Sequence, residues 1–177
     1  MENQRIRLSK AMLKTGLLKL LKEKPISQIT VHELCIVSQI NRTTFYKYYG
    51  SQEDLLSEIE ADFLKQLDES LKEIITQNSN ALLLVLQYLY EQRELFCILT
   101  RSVPVQEFSA HVFAVPNIRV IFQSMIDESN YSDTEVKYIR QFVFEGAFSV
   151  IYAWLNSGDP EPVAEIADVL GLMKDRL

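Results

Sequence analysis

Apolar residues recur three and four positions apart along most of the chain, the spacing of helices with one buried face. Arg5–Leu21 reads as a first helix, with Ile6, Met12, Leu13, Leu17, Leu20 and Leu21 as its apolar stripe. Lys24-Pro25 ends it, because proline disfavours helix at the preceding residue. Ile26 and Ile29 then pack beneath it. Thr30 is an N-cap with Glu33 at the capping-box spacing, and it opens a short helix whose apolar side is Leu34, Ile36 and Val37. Ser38-Gln39-Ile40 breaks that helix. Asn41 caps a second short one, Arg42–Tyr49, about two turns long. Gly50 is placed to end it in a left-handed conformation. Ser51, with Asp54 three residues on, caps a long helix to Thr76, in which Leu55, Leu56, Ile59, Phe63, Leu67 and Leu71 hold the 3–4 spacing. At ~1.5 Å per residue it spans roughly 35–40 Å, long enough to leave one domain and end in another.

The second half carries more helices. Residues 77–80 are a polar break, residues 81–92 a strongly apolar helix, and residues 93–100 a short one after a small joint. Residues 106–128 are helical but interrupted at Pro116, by a kink or by two helices meeting. Ser132 caps the next helix with Glu135 at its third position. That helix, to Asn156, is apolar on more than one side, so more than one of its faces is buried. Gly146 and Ala147 within it let another helix approach closely. A turn at 156–160 precedes a last amphipathic helix carrying Val163, Ile166, Ala167 and Leu170.

A capped helix, a short turn and a second short helix is the helix-turn-helix pattern. Arg42, Thr43, Thr44, Tyr46 and Lys47 on the second helix suit base edges and phosphate oxygens. Phe45 and Tyr49, four apart, share one face and hold the helix to its own core. Here the chain resembles the TetR family of transcriptional regulators. The resemblance rests on Thr30, on Asn41-Arg42-Thr43-Thr44-Phe45-Tyr46-Lys47-Tyr48-Tyr49, and on Ser51-Gln52-Glu53-Asp54-Leu55-Leu56. It is specific over roughly residues 5–60 and architectural beyond. There are two departures. Gln39 stands where the family's turn usually carries Gly, at a cost in strain, and Gln52 stands where Lys is frequent, which weakens one phosphate contact from charged to neutral.

The resemblance implies an all-α fold. Residues 1–50 form a three-helix DNA-binding domain, and residues 51–177 a helical ligand-binding and dimerisation domain. It implies a homodimer that binds a palindromic operator, most often a repressor released by a small-molecule effector. The alternative is a regulator on the same fold that activates transcription or works through a protein partner. Arg42, Thr43 and Lys47 are assigned to base edges. Thr44, Tyr46, Tyr48 and the amides at Ser51 and Gln52 are assigned to phosphate, with the two caps Thr30 and Asn41 completing the surface. The family pairs its last two long helices with their copies, which places Gly146, Ala147, Val150, Trp154, Ile166 and Leu170 at a dimer interface.

Charge sharpens this picture. Residues 1–50 carry nine Lys/Arg against three Asp/Glu, a net +6, and residues 51–177 carry nine against 21, a net −12. A basic end on an acidic body suits a protein that meets DNA with one end. Arg5, Arg7, Lys10 and Lys14 sit near the start of the first helix, either within reach of phosphates or on a solvated face. The apolar share of 47% is that of an ordinary globular protein. No apolar run approaches 18 residues and no leader pattern is visible, so a cytoplasmic protein is expected, with no membrane partner.

The remaining chemistry is sparse. Two cysteines, Cys35 and Cys97, make no disulfide framework. His32 and Cys35 lie three apart, but a metal site needs three or four ligands. No nucleophile–base pair or glycine-rich phosphate loop is present, so neither an enzyme nor a cofactor is expected. Phe96, Phe108, His111, Phe122, Tyr138 and Phe142 are candidates to line an effector pocket, each also a candidate core residue.

Overall fold

A computed structural model describes residues 4–77, 81–123 and 131–174, with side chains described outside 73–77, 122–123 and 173–174. The described residues form ten α-helices, one 3-10 turn at Ile26–Gln28 and no strand. The helices are α1 (Gln4–Leu21), α2 (Val31–Val37), α3 (Arg42–Tyr46), α4 (Gln52–Gln77), α5 (Ala81–Glu91), α6 (Arg93–Ser102), α7 (Val105–Ala114), α8 (Pro116–Gln123), α9 (Asp133–Asn156) and α10 (Val163–Lys174). They group into two compact units. One holds the chain up to Phe63 together with Ile98–Val103, and the other holds Leu64–Cys97 and the chain from Pro104 onward. The first unit therefore takes in the start of α4 as well as the residues before 51.

In the first unit the apolar stripe of α1 is buried at Leu13, Leu17 and Leu20, and it meets Leu34 and Cys35 of α2, Phe45, Tyr49, and Leu55, Ile59 and Phe63 of α4 in one core. α1 and α2 approach so closely at Gly16 that a Cβ there would fall on Ser38 Oγ, 3.2 Å from Ser38 Cβ and 3.4 Å from its Cα. Polar contacts lock α1 to α4. Lys10 meets Glu58 at 3.1 Å, and Lys14 meets Glu58 at 2.7 Å and Asp62 at 2.5 Å. Burial raises Glu58, but the hydrogen bonds from Lys14 and Lys10 outweigh it and hold its carboxyl below the ordinary range. Burial lowers Lys14, and its hydrogen bonds to Asp62 and Glu58 win, leaving its ammonium above the usual lysine value.

These shifts fix a pH window. The Glu58 contribution is present above the ordinary carboxylate pKa and is lost as pH falls through the lowered folded value. The Lys14 contribution is present below the ordinary lysine pKa and is lost as pH rises through the raised one. Because these groups are partly exposed, the network contributes only about 0.5–1 kcal/mol. Glu58→Gln should lower the neutral-pH unfolding free energy by that amount, read as a lower urea midpoint, and flatten the acid limb. Urea titrations across pH 3–7 (roughly the carboxylate range) check this, and parallel curves for the two proteins would refute it.

In the second unit α5 packs on α10, burying Val85, Leu86 and Leu89 with Ile166 and Leu170. α7 and α8 each pack against α9. Phe96, Phe108 and Phe148 make a triangle of rings 5.7–6.4 Å apart, with Phe113 against Phe148 at 6.0 Å and against Phe144 at 4.7 Å. Pro116 starts a new helix instead of kinking an old one: α7 stops at Ala114 and proline takes the first position of α8. Asp68 on α4 then accepts from the Asn117 amide (3.0 Å) and side chain (2.9 Å), placing a carboxylate at the start of α8. Ser132 and Glu135 form the full capping box of α9. At the other end of α9, Arg93 donates to the carbonyls of Leu155 (2.7 Å) and Ser157, a cation on the negative end of the helix.

Candidate nucleic-acid interface

The two short helices that would meet DNA are defined by their caps. Thr30 Oγ1 accepts from the Glu33 amide at 3.2 Å. The Glu33 carboxylate reaches Lys24 at 2.6 Å, on the far side of the proline turn. Asn41 Oδ1 accepts from the Thr44 amide at 2.7 Å and starts α3. α3 is shorter than the spacing predicts, ending at Tyr46, with Lys47 and Tyr48 in a turn held by the Tyr48 and Tyr49 amides on the Phe45 carbonyl. Gly50 is not left-handed as predicted; no glycine among the described residues has positive φ. A Cβ there would lie 2.9 Å from Asp54 Oδ2, so the carboxylate would have to shift. That carboxylate accepts from the Gly50 (2.9 Å) and Ser51 (3.2 Å) amides, while Ser51 Oγ accepts from the Asp54 amide. Of the two amides assigned to phosphate, Ser51's is therefore already engaged, and Gln52's is not held by Asp54.

The left-handed residue is instead Gln39, at φ 54°. The Gln39 amide bonds the Ile36 carbonyl (3.1 Å) and the Ile40 amide bonds the Cys35 carbonyl (3.0 Å), the paired bonds of a Schellman stop. This ends α2 and turns the chain into α3.

Phe45 is fully buried and Tyr49 nearly so, their rings 5.8 Å apart, so α3 is pinned by one face. The opposite face exposes Arg42, Thr43, Tyr46 and Lys47, with Asn41 and Thr30 also exposed and Thr44, Tyr48, Ser51 and Gln52 half-buried. The Arg42 guanidinium lies 6.0 Å from the Tyr46 ring centre, one helical turn on, which orients it along the exposed face. Arg5 and Arg7 are exposed on α1, whereas Lys10 and Lys14 are committed to Glu58 and Asp62. Burial pushes the Cys35 thiol up despite Arg42's positive charge, so it is a packing residue and not a thiolate.

The other predicted sites are dispersed. Phe96 and Phe108 meet edge-on in the core, while His111, Tyr138 and Phe142 are exposed. The Phe122 side chain lies outside the described residues. Two surface recesses are lined by other residues: Tyr90 with Asp159–Val163, and Tyr131 with Asp133, Val136, Lys137 and Arg140. Among the dimer candidates, Ala147, Trp154, Ile166 and Leu170 are buried within their own chain, Trp154 stacked on Tyr90 and donating to the Glu161 carbonyl at 2.9 Å. Val150 is half-buried, and a Cβ at Gly146 would meet nothing within 4 Å. Large apolar side chains exposed in the second unit include Tyr138 (60% exposed) and Phe142 (71%) on α9, and Val169 and Leu172 on α10. The described residues contain no cluster of three metal-binding side chains and no helix long and apolar enough to cross a membrane.

Comparison with known proteins gives a consistent result. Residues 76–175 match the model of a TetR transcriptional regulator C-terminal region. Over 129 residues, 70% of this chain and 66% of the relative, just under two thirds of its length, the sequence is 30% identical to the HTH-type dhaKLM operon transcriptional activator DhaS of Lactococcus lactis subsp. lactis (strain IL1403). The fold is similar to that of a TetR transcriptional regulator from Streptococcus agalactiae 2603V, with a TM-score of 0.76 and 19% identity over 97% of this chain and 96% of the other. It is also similar to a dihydroxyacetone kinase operon activator DhaS, with a TM-score of 0.57 and 22% identity over 96% and 97% of the two chains.

Proposed function

Because the chain belongs to the TetR family of transcriptional regulators, we propose that it reads a two-fold operator as a homodimer through α2 and α3. The observation that carries this reading is the split of α3 and the turn after it: Phe45 and Tyr49 are buried, and Arg42, Thr43, Tyr46 and Lys47 are exposed. Arg42, Thr43 and Lys47 read base edges, and Arg42 has the fork that pairs with guanine. Thr44, Tyr46, Tyr48 and the Gln52 amide hold phosphates, Thr30 and Asn41 set the caps around them, and Arg5 and Arg7 add charge from α1. The two copies meet through the outward face of α9 and α10, at Tyr138, Phe142, Gly146, Val169 and Leu172. A protein with this task sits in the cytoplasm and performs no catalysis.

Repression relieved by a small molecule is the finer reading that the family suggests. A second reading, activation through a partner protein, is favoured by two observations. The relative that covers 70% of the chain is a transcriptional activator, and Phe96 and Phe108, two of the pocket candidates, fill the core instead. The test is selection of a randomised duplex library at two salt concentrations. One palindrome should be enriched, with affinity falling as salt rises. Arg42→Ala should weaken binding to that palindrome by about 1–3 kcal/mol and relax one position per half-site. A reporter carrying the palindrome upstream of a promoter then separates repression from activation. Enrichment of no sequence by the wild-type protein would refute the operator reading.

A further inference from the structure

Gln39 is the one non-glycine residue with positive φ among the described residues. The Schellman stop of α2 imposes that backbone, and glycine or asparagine would occupy it with less strain. A strained residue persists where something else depends on it. Nothing inside the described protein does: Gln39 is exposed, and its carboxamide makes no hydrogen bond to another described residue. Its position is informative. It stands two residues before Asn41, the cap of α3, at the end of the recognition helix whose residues reach base edges. A carboxamide there offers two donors and an acceptor to a base edge or a phosphate.

We propose that Gln39 is a further operator-contacting residue, its side chain hydrogen-bonded to DNA in each half-site. This rests on the operator reading above. It inverts the simpler view of Gln39 as a defect in a glycine turn. Two properties then separate. Removing the side chain relieves backbone strain and raises stability, but it removes a DNA contact and lowers affinity.

The probe is the palindromic duplex that the wild-type full chain enriches from a randomised library. Gln39→Gly should melt at a higher temperature than wild type and bind this duplex at least fivefold more weakly. The dependence of affinity on salt should be unchanged, because a neutral group releases no counterion. Gln39→Asn, which accepts the left-handed backbone but falls one carbon short, should also gain stability and lose affinity. Binding by both variants as tight as wild type, or tighter, overturns the proposal, as does a Gln39→Gly variant that gains no stability. Arg42→Ala in the same series separates the two claims. If Arg42→Ala weakens binding and the Gln39 variants do not, this inference alone falls. If none of them matters, the interface reading falls with it.

Discussion

Phe142→Glu should convert the protein from dimers to monomers at micromolar concentration and remove high-affinity operator binding. Phe142 is 71% exposed on α9, the most exposed of the large apolar side chains among the described residues. Tyr138 lies one turn before it and Gly146 one turn after, where an added Cβ would meet open space. In a two-fold interface each residue acts twice. Burying one phenylalanine contributes about 1.5–3 kcal/mol, so losing two costs roughly 4 kcal/mol, or some three orders of magnitude in dimer affinity. Burying two carboxylates there adds to the loss. A monomer holds one half-site, so operator binding falls further than any single base contact could explain. Sedimentation velocity reads the first effect and a gel-shift titration the second. Trp154→Ala is the contrast. Trp154 is 3% exposed and stacked on Tyr90 within its own chain, so its loss should lower the melting temperature and not act first on dimerisation. A Phe142→Glu protein that sediments as a dimer would remove this interface.

The contrast between Phe142 and Trp154 shows what the sequence could and could not convey. Local rules were legible: Thr30, Asn41, Ser51 and Ser132 each accept the backbone bond that their spacing predicts. The α4 stripe from Leu55 to Leu71 is buried as its spacing predicts, whereas in α1 Leu13, Leu17 and Leu20 are buried and Ile6, Met12 and Leu21 only half-buried. The face of α9 was not legible, because its apolar residues run round more than half of the helix. Tyr138, Phe142 and Gly146 form one row, while Ala147, Trp154 and Leu155 form another that is buried. Which row turns inward depends on the helices packed against it, α7 and α8, and on Tyr90 of α5, stacked on Trp154. The same holds for Lys10 and Lys14. Their charge left phosphate contact and a solvated face both open, and Glu58 and Asp62, 48 residues on, claim them instead. At the turn, sequence located the special residue only in part. Gln39 was marked by departure from a glycine pattern, whereas Gly50 was assigned the left-handed backbone that, among the described residues, Gln39 alone adopts.

Gly16→Ala should be among the most damaging single-methyl substitutions in the first unit. Alanine is the better helix former, so on a free helix surface the change would stabilise by up to ~1 kcal/mol. Here the new methyl falls on Ser38 Oγ, with Ser38 Cβ at 3.2 Å and Cα at 3.4 Å. Rotating the hydroxyl away relieves only part of the clash, because the backbone of the α2 stop lies behind it. Overpacking of this kind costs about 1–3 kcal/mol. The displacement falls next to Gln39, so it is felt in the placement of α3 as well as in stability. Ser38 itself supplies the rescue. It is 4% exposed, and its hydroxyl is buried without a hydrogen-bond partner among the described residues. Ser38→Ala should therefore be neutral or mildly stabilising, since it removes an unsatisfied polar group. Ser38→Gly in the Gly16→Ala background should restore more than half of the lost stability, because the two sites share one contact and their effects are not additive. Urea unfolding of the wild type, Gly16→Ala, Ser38→Gly and the double variant measures this coupling. If the single and double variants add without interaction, α1 and α2 do not meet at these two residues.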